Sequence, residues 1–359
     1  MLFTSINFFY FISLIFILYW IILKKSLKGQ NYLLLIGGYF FYGWWDWRFL
    51  FLLIFISIFN FYISLLIQKD HKQDYRKIFF LIALIINLGT LFTFKYLNFF
   101  LDGFTNIFSV FGFKLDNVTL NILLPLGLSF YIFISLSYII DVYRNNLIVK
   151  NKDFSDVLLS LSFFPIILAG PIQRPRTLLP QIQKKREFNY TQAVNGLRQI
   201  LWGLFMKIVI ADNCSVFVDT ILKNYFDYKG STLLLAAFMF TVQIYADFAG
   251  YSNIAIGIGK LLGFDIMKNF AFPYFSRDLG IFWKRWNISL TTWFRDFLFL
   301  PIAYSLTRKI KTKRFFYIYY LHSYSMDINR TLAWCKLYIH CLGTYARVFP
   351  DFVTHNSEY

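Results

Sequence analysis

Between Gln243 and Ile302 the chain reads QIYADFAGYSNIAIGIGKLLGFDIMKNFAFPYFSRDLGIFWKRWNISLTTWFRDFLFLPI, with ionisable side chains set among residues apolar enough for a membrane. An ionisable group at bilayer depth costs at least ~2.5–3.5 kcal/mol, so Asp247, Arg285 and Asp296 are expected to face a protein interior or a water-filled cavity. Two uses are open to them: pairing with one another to brace helices, or lining a reaction chamber. Gln243, Asp247, Tyr251 and Ser252 fall at i, i+4, i+8 and i+9, one stripe of a helix whose other faces are apolar. Such a stripe either lines a tunnel or closes on itself as a hydrogen-bond network between helices.

A second cluster lies at Ala169-Gly170-Pro171-Ile172-Gln173-Arg174-Pro175, where a helix must stop and leave backbone groups unpaired beside Arg174 and Arg176. Two guanidinium groups there suit a phosphate-bearing donor. Ordinary positive charge on a cytoplasmic loop explains them equally well. Leu124-Pro125-Leu126-Gly127 breaks another apolar run near its start, and Ser129, Ser135, Ser137 and Tyr138 follow, where helices approach closely or a polar ligand passes.

The elements carrying these residues are membrane spans. Of 359 residues 58% are hydrophobic and only 15% charged, which makes this a polytopic membrane protein. Apolar runs close to the ~20 residues needed to cross a bilayer occupy Asn7–Leu23, Phe49–Ile67, Ile78–Phe94, Ile122–Ile140 and Thr232–Tyr245. Shorter or interrupted runs at Tyr32–Tyr42, Phe154–Leu168, Ala193–Ile210 and Ile281–Leu300 raise the expected total to about eight to ten. The first run lacks a basic start and a small-residue cleavage site, and is expected to be a retained helix.

A net charge of +17 would suggest nucleic acid in a soluble protein, but here Lys and Arg collect in the short loops Lys24–Lys28, Lys69–Lys77, Arg144–Lys152 and Arg174–Arg186. Basic loops mark the cytoplasmic side, so no nucleic-acid partner is expected. The N-terminus then lies outside, and the Trp44–Trp47 turn returns to the outer surface. With basic loops on both sides of it, Phe154–Leu168 is expected to enter and leave by the same face, as a re-entrant hairpin broken at Pro165 and Gly170-Pro171. Cys214, Cys335 and Cys341 show neither metal spacing nor an even framework, so no metal or redox role is assigned. No tandem repeat, phosphate-binding glycine loop or pair of matched halves is visible.

Four segments in order carry a resemblance: YFFYGWWDWRF at Tyr39–Phe49, LPLGLSFYIFISLSYIIDVYR at Leu124–Arg144, FFPIILAGPIQRP at Phe163–Pro175, and the Gln243–Ile302 block. Together they resemble the membrane-bound O-acyltransferases, in the bacterial branch of alginate O-acetyltransferases and the protein that moves D-alanine onto teichoic acid. The resemblance covers the chain to about Arg314. It implies an all-α polytopic transmembrane protein of the bacterial cytoplasmic membrane, with re-entrant segments around a central tunnel. It also implies an enzyme that takes an acyl group, acetyl above all, from a cytoplasmic thioester donor, acetyl-CoA or an acyl carrier protein. The acceptor would be a hydroxyl of an exported or cell-surface polysaccharide, reached with extracytoplasmic partner proteins, and no cofactor is held.

Within FWKRWNISL the position matching one of the family's two polar catalytic residues is Asn287; many relatives carry His there, others Asn. An amide is no general base, so Asn287 is expected to orient or hydrogen-bond an acyl carbonyl or an acceptor hydroxyl. Gln243, Asp247, Tyr251, Arg285, Ser289 and Asp296 are the expected substrate-side residues, and Arg174 and Arg176 the donor-side ones. The non-enzyme alternatives are a transporter or flippase using the same intramembrane charges, and a non-catalytic scaffold.

The family's essential His follows in a Gly-Leu-Trp-His-Gly type motif that the chain does not contain; His71, His322, His340 and His355 all lack that context. Residues 1–314 read as the membrane domain and 315–359 as an aberrant tail. Codons AAC CGG ACT TTG GCA TGG TGT encode Asn329–Cys335, and regrouped from the second base they encode TGLWHG. The same shift lets Cys335–Val348 read VNYIFIVWGLTHGF. The chain is therefore expected to change frame near Lys311–Arg314, and the 359-residue form to lack transfer activity because base catalysis alone is worth ~10²–10⁴-fold.

The topology is open to direct measurement. Single cysteines placed in Lys69–Lys77 and Arg174–Arg186 should both label only from the cytoplasmic side, and one at the N-terminus only from outside. Labelling of the two basic loops from opposite faces would defeat the re-entrant assignment.

Overall fold

The computed structural model describes residues 1–69, 73–97 and 123–309. Among these the regular structure is helical, with no strand. In chain order the first elements are α1 (Ile6–Ile22), α2 (Leu27–Gly43), α3 (Trp47–Gln68), α4 (Gln73–Lys95) and α5 (Leu128–Tyr143). Then come the short α6 (Phe154–Leu161), α7 (Phe164–Ile167) and α8 (Pro175–Gln183), followed by the long α9 (Tyr190–Lys223) and α10 (Gly230–Leu261). Helices α3, α4, α9 and α10 are long and apolar enough to cross a membrane, and the protein is an all-α membrane protein. The chain divides into two units, Met1–Phe270 and a second beginning at Ala271. The expected boundary at residue 314, the re-framed tail and all four histidines lie outside the described residues.

Helix starts are written locally. Ser5, Ser26, Asp46 and Asn189 each accept a backbone N–H from the first turn that follows, supplying partners for donors that the helix itself leaves orphaned. Asp46 also binds the Arg48 guanidinium at 2.7 Å, and that hydrogen bond holds its carboxyl below the ordinary aspartate range.

In the first unit several polar residues are buried within the apolar core while many large apolar side chains face outward, unlike the surface of a soluble protein. On α3, Phe51, Phe55 and Tyr62 are exposed while Ser57, Asn60 and Ser64 are buried. Asn60 and Asn87 of α4 exchange amide hydrogen bonds of 3.1 and 2.8 Å, and the Ser64 hydroxyl meets Tyr138 of α5 at 2.7 Å. Such bonds tie helices together where lipid offers polar groups nothing.

Three details differ from the sequence reading. The Ile122–Ile140 run starts its helix only at Leu128, because Gly127 turns the backbone with φ 70°. A side chain there would run into the Ile167 carbonyl. The hairpin breaks at Ser162–Phe163 rather than at Pro165, which instead sits in the first turn of α7, where its missing N–H costs nothing. Helices α9 and α10 run well past the apolar windows Ala193–Ile210 and Thr232–Tyr245; in α10, Asp247 and Asn253 beyond the window pair with Lys207 and Gln199 of α9 and need no water. Helices of eight and four residues at α6 and α7 are far too short to cross a bilayer, as a re-entrant segment requires.

Helices α9 and α10 approach backbone to backbone at two antiparallel glycine pairs. A Cβ on Gly196 would lie 2.8 Å from the Gly257 carbonyl oxygen, and one on Gly203 would lie 2.7 Å from that of Gly250. Gly89 on α4, by contrast, has nothing within 4 Å of an added methyl group. The same substitution should therefore have opposite signs: Gly203→Ala should cost about 1–3 kcal/mol through overpacking. Gly89→Ala should stabilise by about 0.4–1 kcal/mol through the unfolded chain. Unfolding in mixed detergent micelles reads both.

Candidate active site

The second unit is built around a broken helix. Asp278 caps α11 (Leu279–Arg285) through the Ile281 N–H at 2.7 Å. After Trp286 the chain turns at Asn287, with φ 42° and ψ 56°, and restarts as α12 (Ile288–Phe294), a π turn (Arg295–Phe299) and α13 (Leu300–Lys309). The left-handed backbone costs most residues roughly 1–2 kcal/mol, and Asn is among the few that visit it routinely. The Asn287 carbonyl accepts the Thr291 N–H at 3.0 Å and so begins α12. The residue is 6% exposed, and among the described residues nothing hydrogen-bonds its carboxamide. Aromatic rings wall the break: Phe282 stacks on Trp286 at 5.5 Å, and Trp293 lies 5.3 Å from Phe297.

The neighbouring charges are engaged. Arg285 donates to the Phe275 carbonyl at 3.1 Å, while its own carbonyl accepts the Ala271 N–H at 3.0 Å, which pins the loop Ala271–Phe275 to α11. Asp296 binds Arg295 at 2.7 Å, and Ser289 is buried. Arg285 is thus an internal brace of this unit, whereas Asn287 is the polar group left open.

In the first unit Gln243, Asp247 and Tyr251 share one row of α10, as their spacing predicts. The carboxylate of Asp247 lies 2.7 Å from the ammonium of Lys207 on α9, and Lys207 lies at the same distance from Asp212. Its Nζ also stands 5.5 Å from the centre of the Tyr251 ring. Asp247 and Lys207 thus brace α9 against α10, Asp247 taking as partner a lysine rather than another member of the expected charged set, while the side-chain oxygen of Gln243 is buried without a hydrogen-bond partner. Lys207 lies near the middle of α9, in the π stretch Phe205–Ala211, and is buried.

Of the two arginines expected to meet a donor, Arg176 extends toward the buried carboxylate of Asp141, at 3.9 Å, and Arg174 is half-buried just before α8. Arg76 closes the same end of α5 by donating to the Tyr143 carbonyl at 3.1 Å and to Asn145 at 2.9 Å. A phosphate arriving here would compete with one carboxylate for an organised cluster of guanidinium groups.

Comparison with known proteins bears directly on this arrangement. The chain is 36% identical over 292 residues to “Probable alginate O-acetylase AlgI” of Pseudomonas syringae pv. tomato, covering 80% of this chain and 56% of the relative. It is 32% identical over 299 residues to a peptidoglycan O-acetyltransferase of Helicobacter pylori, covering 75% and 55%. A teichoic acid D-alanyltransferase of Bacillus subtilis matches at 29% over 191 residues, 53% of this chain and 48% of that one. Over about three quarters or more of its length the chain is thus similar to O-acetyltransferases, in keeping with its resemblance to the membrane-bound O-acyltransferase family. It spans about half the length of the curated relatives it matches. No family model matches it.

Against the features that resemble other O-acyltransferases, two residues escaped the sequence reading. Lys207 is one; a lone lysine deep in an apolar run should have been sought as the partner of Asp247. Arg186 is the other. It reads as the end of a basic loop but is buried, donating to the Gln181 and Ile182 carbonyls at 3.4 and 3.3 Å and to the side chain of Asn31. Its guanidinium lies 4.9 Å from the Phe264 ring centre. Nothing in Lys184-Lys185-Arg186 distinguishes it from its neighbours.

Removing the buried cation strands two carboxylates. Lys207→Met should cost about 3–5 kcal/mol, whereas Asp212→Asn, with half its side chain exposed, should cost under about 1 kcal/mol. Equal losses in a detergent unfolding series would show that Asp212, and not Asp247, carries the pair.

Proposed function

We propose that the protein transfers a short acyl group, acetyl above all, from a thioester donor on the cytoplasmic side of the bacterial cytoplasmic membrane to a hydroxyl of an exported or cell-surface polysaccharide. The observation that carries this reading is Asn287: a largely buried residue whose carboxamide has no hydrogen-bond partner among the described residues, held at a helix break by a backbone conformation few residues adopt. Buried polar groups are almost always hydrogen-bonded, and an open one is available to a ligand. The relatives' names support the reaction class, since two are named for O-acetylation, of alginate and of peptidoglycan, and one for transfer of D-alanine to teichoic acid.

In the reaction the acceptor oxygen attacks the thioester carbonyl carbon, the C–S bond breaks, and the hydroxyl proton passes through a base to the departing thiolate. Charge grows on the carbonyl oxygen during attack. The Asn287 amide N–H is the group offered to that oxygen, and a fixed donor in a site closed to water acts there without reorganising. An amide does not take up the proton. The family resemblance implies a His for that task. Arg174 and Arg176 would receive the phosphate of acetyl-CoA or of an acyl carrier protein's prosthetic arm, and a tunnel would bring donor and acceptor together from opposite faces. Extracytoplasmic proteins would present the polysaccharide.

The test uses membranes carrying the protein with its downstream reading frame restored, a labelled acetyl thioester and a polysaccharide acceptor, because the 359-residue form is expected to be inactive. Asn287→Ala should lower transfer by ~10²–10³-fold. Asn287→Gly, which keeps the left-handed turn but removes the amide, should lose as much activity while retaining wild-type thermal stability. Full activity in Asn287→Gly would remove the amide from the chemistry, and cargo movement without thioester consumption would identify a transporter.

A further inference from the structure

Where α9 begins and α10 ends, the two helices and the segment after Leu262 enclose a cleft of about 480 Å³. Gln199, Lys260, Asp265, Met267 and Lys268 are among the residues lining it. The Lys260 ammonium donates to the Gln199 carbonyl oxygen at 2.7 Å, and the Gln199 amide donates in turn to Asn253 at 3.0 Å. One of the three ammonium protons is thereby fixed, and the other two remain to face a ligand. Lys268 is exposed on the rim, and no ion pair among the described residues engages either lysine.

The rim is rigid. Gln173 accepts the Met267 N–H at 3.1 Å, while Gln181 accepts the Asp265 N–H at 2.8 Å and donates to the Asp265 carbonyl at 3.1 Å. The Asp265 carboxylate reduces the positive charge of the lining, leaving one net cation from two lysines. Around it, α9 presents Arg198, exposed, and Trp202, exposed one turn beyond Gln199 and stacked on Phe205 at 5.6 Å. Leu197 and Leu201 continue the outer surface of the same helix. A tryptophan at the boundary of an apolar surface, with cations just beyond it, is the arrangement found at headgroup depth.

We propose that this cleft binds the phosphate of an anionic glycerophospholipid, with Lys260 and Lys268 as its ligands and the acyl chains lying along α9. The chemistry recognised is a phosphate ester. A membrane lipid supplies it better than a soluble compound because the lysines adjoin a lipid-facing helix with an interfacial tryptophan. The inference is independent of acyl transfer.

Native mass spectrometry of the full-length protein in detergent tests it, with phosphatidylglycerol, phosphatidylcholine or glycerol 3-phosphate added. Phosphatidylglycerol should be retained about tenfold or more tightly by the wild type than by the Lys260→Gln/Lys268→Gln double variant. Phosphatidylcholine should show no such difference, and glycerol 3-phosphate should not displace the lipid. Lys268→Glu, an exposed single change, should weaken phosphatidylglycerol retention in the same sense without altering the fold. Equal phosphatidylglycerol retention by wild type and both variants would overturn the proposal. So would a lysine-dependent site that takes glycerol 3-phosphate in preference to lipid.

Discussion

Inside a bilayer no water is available to satisfy a polar group, and each one the chain carries must find its partner within the protein. The whole first unit answers to that constraint. Its clearest expression is the knot around Arg186, where the ends of distant helices close one another. The Tyr19 hydroxyl donates to the Leu262 carbonyl at 3.0 Å and the Trp20 indole to that of Leu261 at 2.9 Å, capping the end of α10 from α1. Asn31 on α2 donates to Asp156 on α6 and to the Ile182 carbonyl on α8, while Arg186 closes the same carbonyls from the other side. Carbonyls that the ends of α10 and α8 would leave bare are thus matched by side chains, those of Tyr19, Trp20 and Asn31 lying far away in sequence.

The same constraint decides what was legible in the sequence. Outward residues need only be apolar, so α3 and α4 follow directly from the Phe49–Ile67 and Ile78–Phe94 runs. Reading fails where polar groups are paired across helices, because a single chain of letters holds each partner without its mate. Asp247 therefore ended the apparent Thr232–Tyr245 span early, Lys207 was passed over inside its run, and Arg186 passed as surface charge. The break at Asn287 was legible as an interrupted run, but its left-handed turn was not; only the backbone reveals it.

That turn accommodates both residue types that the family resemblance implies for this position. Asn and His are both enriched where φ is positive, so the backbone admits either before any question of chemistry arises. A site that began as a conformational requirement can then exchange an amide for an imidazole without rebuilding the helices on each side. Arg285 shows the complementary case: an ionisable side chain in the same segment, spent on holding the Phe275 carbonyl.

The two glycine pairs between α9 and α10 bear on how this protein can vary in length. Each helix spaces its glycines by seven residues, 196 to 203 and 250 to 257, and at 1.5 Å per residue the two contacts stand about 10.5 Å apart. A residue inserted into one helix between its glycines would rotate one contact by about 100° and shift it along the axis, driving a side chain into the opposing backbone. Only a matched insertion in the other helix restores both contacts. Length changes should therefore accumulate in the turn at residues 224–229 and be absent from either helix between its glycines, so that this pair of helices forms a ruler of fixed span in a protein otherwise free to lengthen its loops.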